Sequence, residues 1–358
     1  MSISVLIVDD SAVVRRILSN ALEEEPDFVV HTARDGKAGL EAIARQAPDV
    51  VVLDVEMPEL DGLATLRAMR ERNVRIPVVM FSSLTAAGSA ATVEALSLGA
   101  ADYVTKPTGA GSLASSIAEI RDALVPRIRA LCRRPAGSTP RPVVVPRPVR
   151  PTSSRARVEP VEIVVIGVST GGPQALAALV PQLPGNLRVP VCIVQHMPPT
   201  FTTHLARRLD SLAPLTVIES EGGETLTPGT VYLAPGGHHL RLDRRGPSVV
   251  TRLGDEPPEN SCRPAVDPLF RDAAARYGGG VLAVVLTGMG HDGRDGAEQV
   301  QAAGGHVIAQ DEVSSVVWGM PGAVVQAGLA DSILPLDRVA SEITQRVAAA
   351  PRVHEVAR

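Results

Sequence analysis

The sequence predicts an α/β protein of two doubly wound parallel-sheet domains, an N-terminal (βα)5 unit and a C-terminal unit that adds a β-hairpin. Three observations carry this. Short apolar runs alternate with amphipathic stretches from residue 3 to about 131, and again from about 162 onward, as parallel strands covered by helices do. Between them Arg133–Pro160 holds seven prolines, seven arginines and one acidic residue, Glu159; proline at that density continues neither a helix nor a central strand. The 358 residues are 45% hydrophobic but only 2% aromatic. That length exceeds one ordinary domain, and cores of Val, Leu, Ile and Ala suit buried parallel strands.

In the first region the runs Ile3–Val8, Phe28–His31, Val50–Leu53, Val78–Phe81 and Tyr103–Val104 read as strands. Helical spacing marks Val13–Glu24, Gly36–Arg45, Gly62–Arg72, Ser89–Leu98 and Leu113–Leu131. In the second region the strands are Ile163–Gly167, Val191–Gln195, Thr216–Glu219, Val231–Ala234, Val281–Thr287, His306–Gln310 and Ser332–Leu334. His239–Asp243 and Ser248–Arg252 form the hairpin. Helices are expected over Pro173–Leu179, Thr200–Ser211, Val266–Arg276, Gly293–Ala303 and Leu336–Ala349. The expected division is a first domain over 1–131, a Pro/Arg-rich linker over 132–160, a second domain over 161–350 and a tail over 351–358.

Composition narrows the function. A net charge of −4 argues against a nucleic-acid partner, because duplex binding relies on clustered Lys and Arg. Cys132, Cys192 and Cys262 lie far apart with no C-x-x-C pair, so neither zinc nor disulfides are expected, and a reducing cytoplasm fits. Met1–Asp10 does not read as a signal peptide. No apolar stretch approaches the roughly 20 residues of a membrane helix, so direct membrane insertion is not expected.

Asp9 and Asp10 follow the first strand, Asp54 ends the third, Ser82 the fourth, and Lys106–Pro107 follow the fifth. The C-terminal ends of parallel strands share one edge, where ligands bind, so three carboxylates and an ammonium converge. Crowded carboxylates repel unless a cation neutralises them, and hard oxygen ligands suit Mg²⁺. A metal-flanked carboxylate can take a phosphoryl group to form an aspartyl phosphate, and Ser82 can then donate to a phosphoryl oxygen. A single strand-end aspartate is commonly a helix cap. A whole edge of such groups is not explained that way.

In the second region Ile163–Gly167 runs straight into V-S-T-G-G-P, Val168 to Pro173. A strand, a glycine turn and a helix opening with Pro173 place Ser169 or Thr170 beside a helix N-terminus. The N–H groups there can stabilise an oxyanion or cradle a phosphate, so the glycine spacing alone does not choose. A serine hydroxyl needs a base, and Val191–Gln195 delivers His196 beside the serine if the two strands are neighbours. Another strand delivers T-G-M-G-H-D-G, Thr287 to Gly293, whose Asp292 can orient the imidazole. His291 is the rival base, and His238–His239 either line the site or open the hairpin. The order Ser, His, Asp differs from that of α/β-hydrolases, which argues for a distinct fold using the same chemistry.

V-D-D-S (Val8–Ser11), L-D-V-E-M-P (Leu53–Pro58), F-S-S (Phe81–Ser83) and Y-V-T-K-P (Tyr103–Pro107) resemble the response-regulator receiver family over residues 3–125. The resemblance implies Asp54 as phosphoacceptor and Mg²⁺ held by Asp9, Asp10, Asp54 and the backbone carbonyl of Glu56. It also implies switch positions at Ser82, Tyr103 and Lys106, and a cis peptide at Lys106–Pro107, which proline permits. A second resemblance, over roughly 161–348, is to the protein-glutamate methylesterases of bacterial chemotaxis, the CheB family. It is carried by G-V-S-T-G-G-P (Gly167–Pro173), Q-H-M-P-P (Gln195–Pro199), L-A-P-G-G-H-H (Leu233–His239), T-G-M-G-H-D-G (Thr287–Gly293) and W-G-M-P-G (Trp318–Gly322).

The second resemblance implies Ser169 as nucleophile, His196 as base, Asp292 as third member and the backbone N–H of Met289 in the oxyanion hole. His291 stands where the family often has a small residue. The implied reaction demethylates glutamate γ-methyl esters on methyl-accepting chemoreceptors, with no cofactor for the ester step. Glutamine deamidation is slower, an amide being the poorer acyl donor. The implied phosphodonor is a chemotaxis histidine kinase, and the linker is long enough for the receiver to fold back as a lid. A regulatory module binding a nucleotide or partner would instead show an acidic ribose contact about twenty residues past the glycine turn. Gly185–Val191 contains no Asp or Glu, which favours the enzyme.

Overall fold

The structure, a computed structural model, describes residues 2–107, 113–132 and 159–349. The expected linker, apart from its ends, and the expected tail lie outside these residues. Strands β1 (Ile3–Val8), β2 (Phe28–Ala33), β3 (Val50–Asp54), β4 (Val78–Ser82) and β5 (Asp102–Thr105) form one parallel sheet in the order β2-β1-β3-β4-β5. Successive side chains point to opposite faces. Val5, Ile7, Val52 and Phe81 pack toward α1 (Ala12–Glu23) and α5 (Leu113–Cys132), and Leu6, Val8, Leu53 and Met80 toward α2 (Gly36–Gln46), α3 (Gly62–Glu71) and α4 (Ala86–Ser97). The first four helices start where Ser11, Asp35, Asp61 and Thr85 accept a backbone N–H in their first turn, which satisfies donors the helix leaves unpaired. Cys132, expected in the linker, ends α5.

The C-terminal domain contributes β6 (Ile163–Val168), β7 (Val191–Gln195), β8 (Thr216–Glu219) and β9 (Thr230–Leu233), then β10 (His239–Arg245) and β11 (Ser248–Gly254), then β12 (Val281–Val285), β13 (His306–Gln310) and β14 (Ser332–Leu334). Seven of these form a parallel sheet in the order β14-β13-β12-β6-β7-β9-β8, and β10 pairs with β11 as a separate antiparallel ribbon. One face is covered by α6 (Gly172–Leu179), α7 (Phe201–Leu212) and α11 (Leu336–Ala348). The other is covered by α8 (Val266–Tyr277), α9 (Arg294–Ala302), α10 (Met320–Gln326) and the ribbon. β6, first in sequence, lies between β12 and β7. The sheet therefore grows both ways from it, and a crevice opens at its C-terminal end.

Three expectations are corrected. β12 stops at Val285 rather than Thr287, because the Thr287 N–H bonds to the Gln310 side chain instead of a neighbouring strand. α10 forms in a stretch to which the sequence pattern assigns no element; Pro321 falls in its first turn, where a missing N–H costs nothing. The cis peptide among the described residues is Arg263–Pro264, not Lys106–Pro107; proline narrows the gap between isomers but does not select one.

The two domains pack together through α4 and β5. Apolar residues lie all round α4 rather than on one stripe, as expected of a helix covered on more than one side, and α4 meets α6 and α7 as well as its own sheet. Tyr103 stacks on Phe201, with ring centroids 4.7 Å apart. Thr170 Oγ1 donates to Asp102 Oδ2 at 2.7 Å, and the Gly171 N–H donates to Ala101 O at 2.9 Å.

Candidate active site

Ser169 follows β6 and His196 follows β7, and the two strands pair with Val168 opposite Gln195. The neighbouring strands thus set Ser169 and His196 side by side at the crevice. The loop after β12 closes the third side. Its Thr287 O accepts the Ser169 N–H at 3.0 Å, and Thr287 Oγ1 donates to Thr170 O at 2.9 Å. The approach is close enough that glycine is required. A Cβ on Gly288 would lie 2.8 Å from the Ser169 Cβ, while Gly171 has φ +78°, which side-chain-bearing residues rarely adopt. Gln195 Nε2 donates to Ser169 O at 3.0 Å. The loop after β6 is therefore held through its backbone, leaving the Ser169 side chain at the crevice.

His196 Nε2 lies 2.7 Å from Asp292 Oδ2, both groups nearly buried. The other ring nitrogen faces the Cys262 thiol, 3.5 Å away. Among the described residues no hydrogen bond joins Ser169 Oγ to His196, and a looser contact is common where no substrate is bound. Burial alone pulls the imidazole down, but its bonds to Asp292 and Cys262 outweigh that and raise it to about 9. Burial likewise raises Asp292, yet its partners His196 and the N–H groups of Val266 and Asp267 outweigh this and hold the carboxyl below its usual range.

The other histidines separate cleanly. His291 is exposed, and no hydrogen bond to its ring is present among the described residues. His238 pairs with Asp255 at 2.6 Å. Buried His239 accepts the Ala265 N–H on Nδ1 and sets Nε2 3.1 Å from Pro257 O, so it fastens the loop behind the site. Sequence reasoning missed Cys262, Asn260 and Asp267, which reach the His196–Asp292 pair from a turn and a helix far along the chain. A cavity of about 410 Å³ leads to His196 and is lined by Pro198, Cys262 and Arg263 together with Tyr103 and Arg127 of the N-terminal domain.

At the N-terminal sheet edge, side-chain oxygens of Asp9, Asp10 and Asp54 lie within 4.8 Å of one another. Lys106 Nζ sits 2.7 Å from Asp54 Oδ1 and 3.6 Å from Asp9 Oδ2. Asp9 Oδ2 and Asp54 Oδ2 are buried without a hydrogen-bond partner, as expected of a pocket whose donor set suits a hard cation. Burial, reinforced by the Asp54 charge, raises the Asp9 carboxyl to about 6. The exposed Glu56 donates its N–H to Asp54 Oδ1 at 3.4 Å. Arg15, absent from the sequence reading, donates to the Asp9 and Asp10 carbonyls at 2.7 and 3.0 Å. Ser82 and Tyr103 point elsewhere: the Ser82 hydroxyl bonds to Gly88 O at 3.2 Å in α4, and Tyr103 lies against the other domain.

Residues 164–343 match the CheB methylesterase family, and residues 5–118 match the response regulator receiver domain. A protein-glutamate methylesterase/protein-glutamine glutaminase from Nocardioides is 49% identical, covering 97% of this chain and 96% of the relative. One from Trichodesmium erythraeum is 49% identical, covering 96% of this chain and 98% of the relative. The crystal structure of the Thermotoga maritima CheB methylesterase catalytic domain is 47% identical with a TM-score of 0.51, covering 52% of this chain and 98% of that one. With a response regulator receiver preceding the catalytic half in one polypeptide, the chain belongs to the CheB methylesterase family.

Proposed function

We propose that the protein hydrolyses γ-methyl esters of glutamate side chains on methyl-accepting chemoreceptors, under phosphorylation control by its receiver. The observation that carries this is that Ser169 and His196 follow the paired strands β6 and β7 at one crevice, with Asp292 of the loop after β12 2.7 Å from the imidazole. His196 takes the Ser169 proton as the hydroxyl oxygen attacks the ester carbonyl. The carbonyl oxygen, now negative, sits against backbone N–H groups, for which Met289 supplies the donor. Among the described residues no acceptor takes that N–H. The tetrahedral centre collapses, methanol leaves with the proton from His196, and water, deprotonated by the same ring, releases the glutamate carboxylate. Asp292 stabilises the imidazolium at each stage. Glutamine side chains are hydrolysed to glutamate and ammonia by the same steps, more slowly.

The receiver, taken as residues 1–131, acts on the esterase, residues 161–350, as a removable lid. In the packed arrangement α4 and β5 cover the rim of the crevice, and Ala101 O occupies the N–H of Gly171, two residues from the nucleophile. Asp9, Asp10, Asp54 and the Glu56 carbonyl would hold Mg²⁺, whose charge would neutralise the crowded carboxylates, and Asp54 is the residue that takes a phosphoryl group from a histidine kinase. Lys106 pairs with the added charge, and Ser82 leaves Gly88 O to donate to a phosphoryl oxygen. That moves the start of α4, and Tyr103 with it. The stacked ring pair contributes about 1 kcal/mol and each cross-domain hydrogen bond about 1 kcal/mol, so a modest shift in α4 and β5 is enough to favour release.

The test is methanol release from a methylated receptor membrane fraction by the full chain, with and without Mg²⁺ and a small phosphodonor. Release that rises with phosphodonor and vanishes in Ser169→Ala supports the reading. An enzyme that releases no methanol from any methylated receptor refutes it.

A further inference from the structure

Behind the His196–Asp292 pair lies a second buried carboxylate. Asp267, in the first turn of α8, is almost fully buried. Asp292 and Asp267 cap each other's helices. Asp292 accepts the N–H groups of Val266 and Asp267 at the start of α8 (2.7 and 3.1 Å), and Asp267 accepts those of Gly293 and Gly296 at the start of α9 (3.0 and 2.6 Å). Between the two carboxylates sits Asn260, whose Nδ2 donates to Asp267 Oδ2 at 2.8 Å and to Asp292 Oδ1 at 2.9 Å.

Asn260 is held by a tight turn. Glu259 and Cys262 exchange both backbone hydrogen bonds, at 3.1 and 2.9 Å, and the two central residues, Asn260 and Ser261, have φ of 52° and 62°. Two positive φ values in succession define a type I′ turn, which asparagine tolerates better than most residues. Arg271 of α8 grips Glu259 with both terminal nitrogens, at 2.6 and 2.7 Å. One turn therefore delivers an amide to the carboxylate end of the His196–Asp292 pair and a thiol to its imidazole end.

We propose that Asp267 and Asn260 are positioning residues for the reaction described above, fixing the orientation and the charge of Asp292 and through it the basicity of His196. The proposal rests on the assignment of His196 as base. The titratable and charged groups facing this cluster are His196 and Cys262 at the site, Arg271 with its partner Glu259 on the α8 side, and Arg127 with Tyr103 across the cavity, while Arg294 and Asp295 at the start of α9 pair with each other at the surface. Burial, and then the Asp292 charge, raise the Asp267 carboxyl above its usual range. Its oxygens nonetheless accept three N–H bonds, from Asn260, Gly293 and Gly296, which favour the charged carboxylate, so its charge acts on His196.

The two variants move the pH profile in opposite directions. Asp267→Asn removes a negative charge from behind Asp292, so the imidazolium is less stabilised and the ring loses its proton at lower pH. Asn260→Gly keeps the turn, because glycine adopts positive φ freely, but takes a donor from Asp292. The carboxylate then carries its charge less shielded, and the ring loses its proton at higher pH. Methanol release by the full chain, held with Mg²⁺ and phosphodonor, is to be followed from pH 6 to 10 on methylated receptor membranes. The acid limb should move by about one unit, downward for Asp267→Asn and upward for Asn260→Gly, with kcat about ten- to a hundredfold lower and KM little changed. Should Asp267→Asn fail to fold, the upward shift in Asn260→Gly decides the question alone. Limbs that stay in place, or variants with full kcat, overturn the proposal while the wild-type enzyme still works. A wild-type enzyme that releases no methanol points instead to the functional reading itself.

Discussion

Each domain buries two aspartates side by side, and the two domains treat them in opposite ways. In the receiver, Asp9 and Asp54 each keep a buried oxygen with no hydrogen bond, with Lys106 at one side of the pocket. In the esterase, every carboxylate oxygen of Asp292 and Asp267 has a partner, drawn from helix N–H groups, Asn260 or His196. The energetic logic differs accordingly. A pocket that receives a cation and a phosphoryl group keeps open valences, and the crowding of its charges is relieved by the ligand. A carboxylate that must hold an imidazole in one orientation gains from saturated, inflexible hydrogen bonding. Paired buried acids thus differ between the two domains in their hydrogen bonding: one pair keeps unpartnered oxygens and the other has none.

The largest expected effects fall on the braced side. Ser169→Ala should reduce methanol release by several orders of magnitude, and His196→Gln should approach it, whereas Thr170→Ala, which loses a hydroxyl that bonds to Asp102, and His291→Ala should both remain active. Initial rates on methylated receptor membranes, with folding checked by circular dichroism, decide this. A larger loss in His291→Ala than in His196→Gln would overturn the assignment of the base. Because base catalysis needs the unprotonated ring and His196 is raised to about 9, the rate should climb with pH and level off only near that value.

The open pocket should respond differently. Asp54→Asn should abolish stimulation by a small phosphodonor while leaving the resting rate unchanged, and residues 159–358 alone should outrun the resting full chain. If the fragment is no faster and phosphodonor changes nothing, the receiver is not a lid. A smaller effect concerns cation binding. Asp9 is raised to about 6, so its proton competes with Mg²⁺ below that value. Calorimetric titration should show Mg²⁺ affinity falling as the pH drops through 6 and nearly constant above 7. A pH-independent affinity would remove Asp9 from the metal site.

The smallest change tests the seam between the domains. Thr170→Val removes one hydrogen bond to Asp102, about 1 kcal/mol, and should raise the resting rate by no more than about fivefold without altering the phosphodonor-stimulated rate. A lower stimulated rate would mean that Thr170 serves the chemistry and not the seam.

Much of the molecule was legible in the residues. Strand runs such as Val191–Gln195 and helical stretches such as Gly36–Arg45 are local, and their alternation alone set two parallel sheets, with acids at the strand ends of one and Ser169, His196 and Asp292 at those of the other. What local pattern cannot carry is strand order. Only the pairing of β6 with both β7 and β12 seats Ser169 between His196 and the Asp292 loop, and β12 is more than a hundred residues further on. The Glu259–Cys262 turn has no periodic signature, because its worth lies in what Asn260 and Cys262 touch. One clue to the seam lies in the sequence itself: the apolar residues of α4 are not confined to one stripe, as expected of a helix covered on more than one side. Composition and spacing thus determined which chemical groups the chain owns and which strand end each occupies. Tertiary packing alone decided which of them meet, because a hydrogen bond of 2.7 Å between His196 and Asp292 depends on sheet order and helix docking that no single segment encodes.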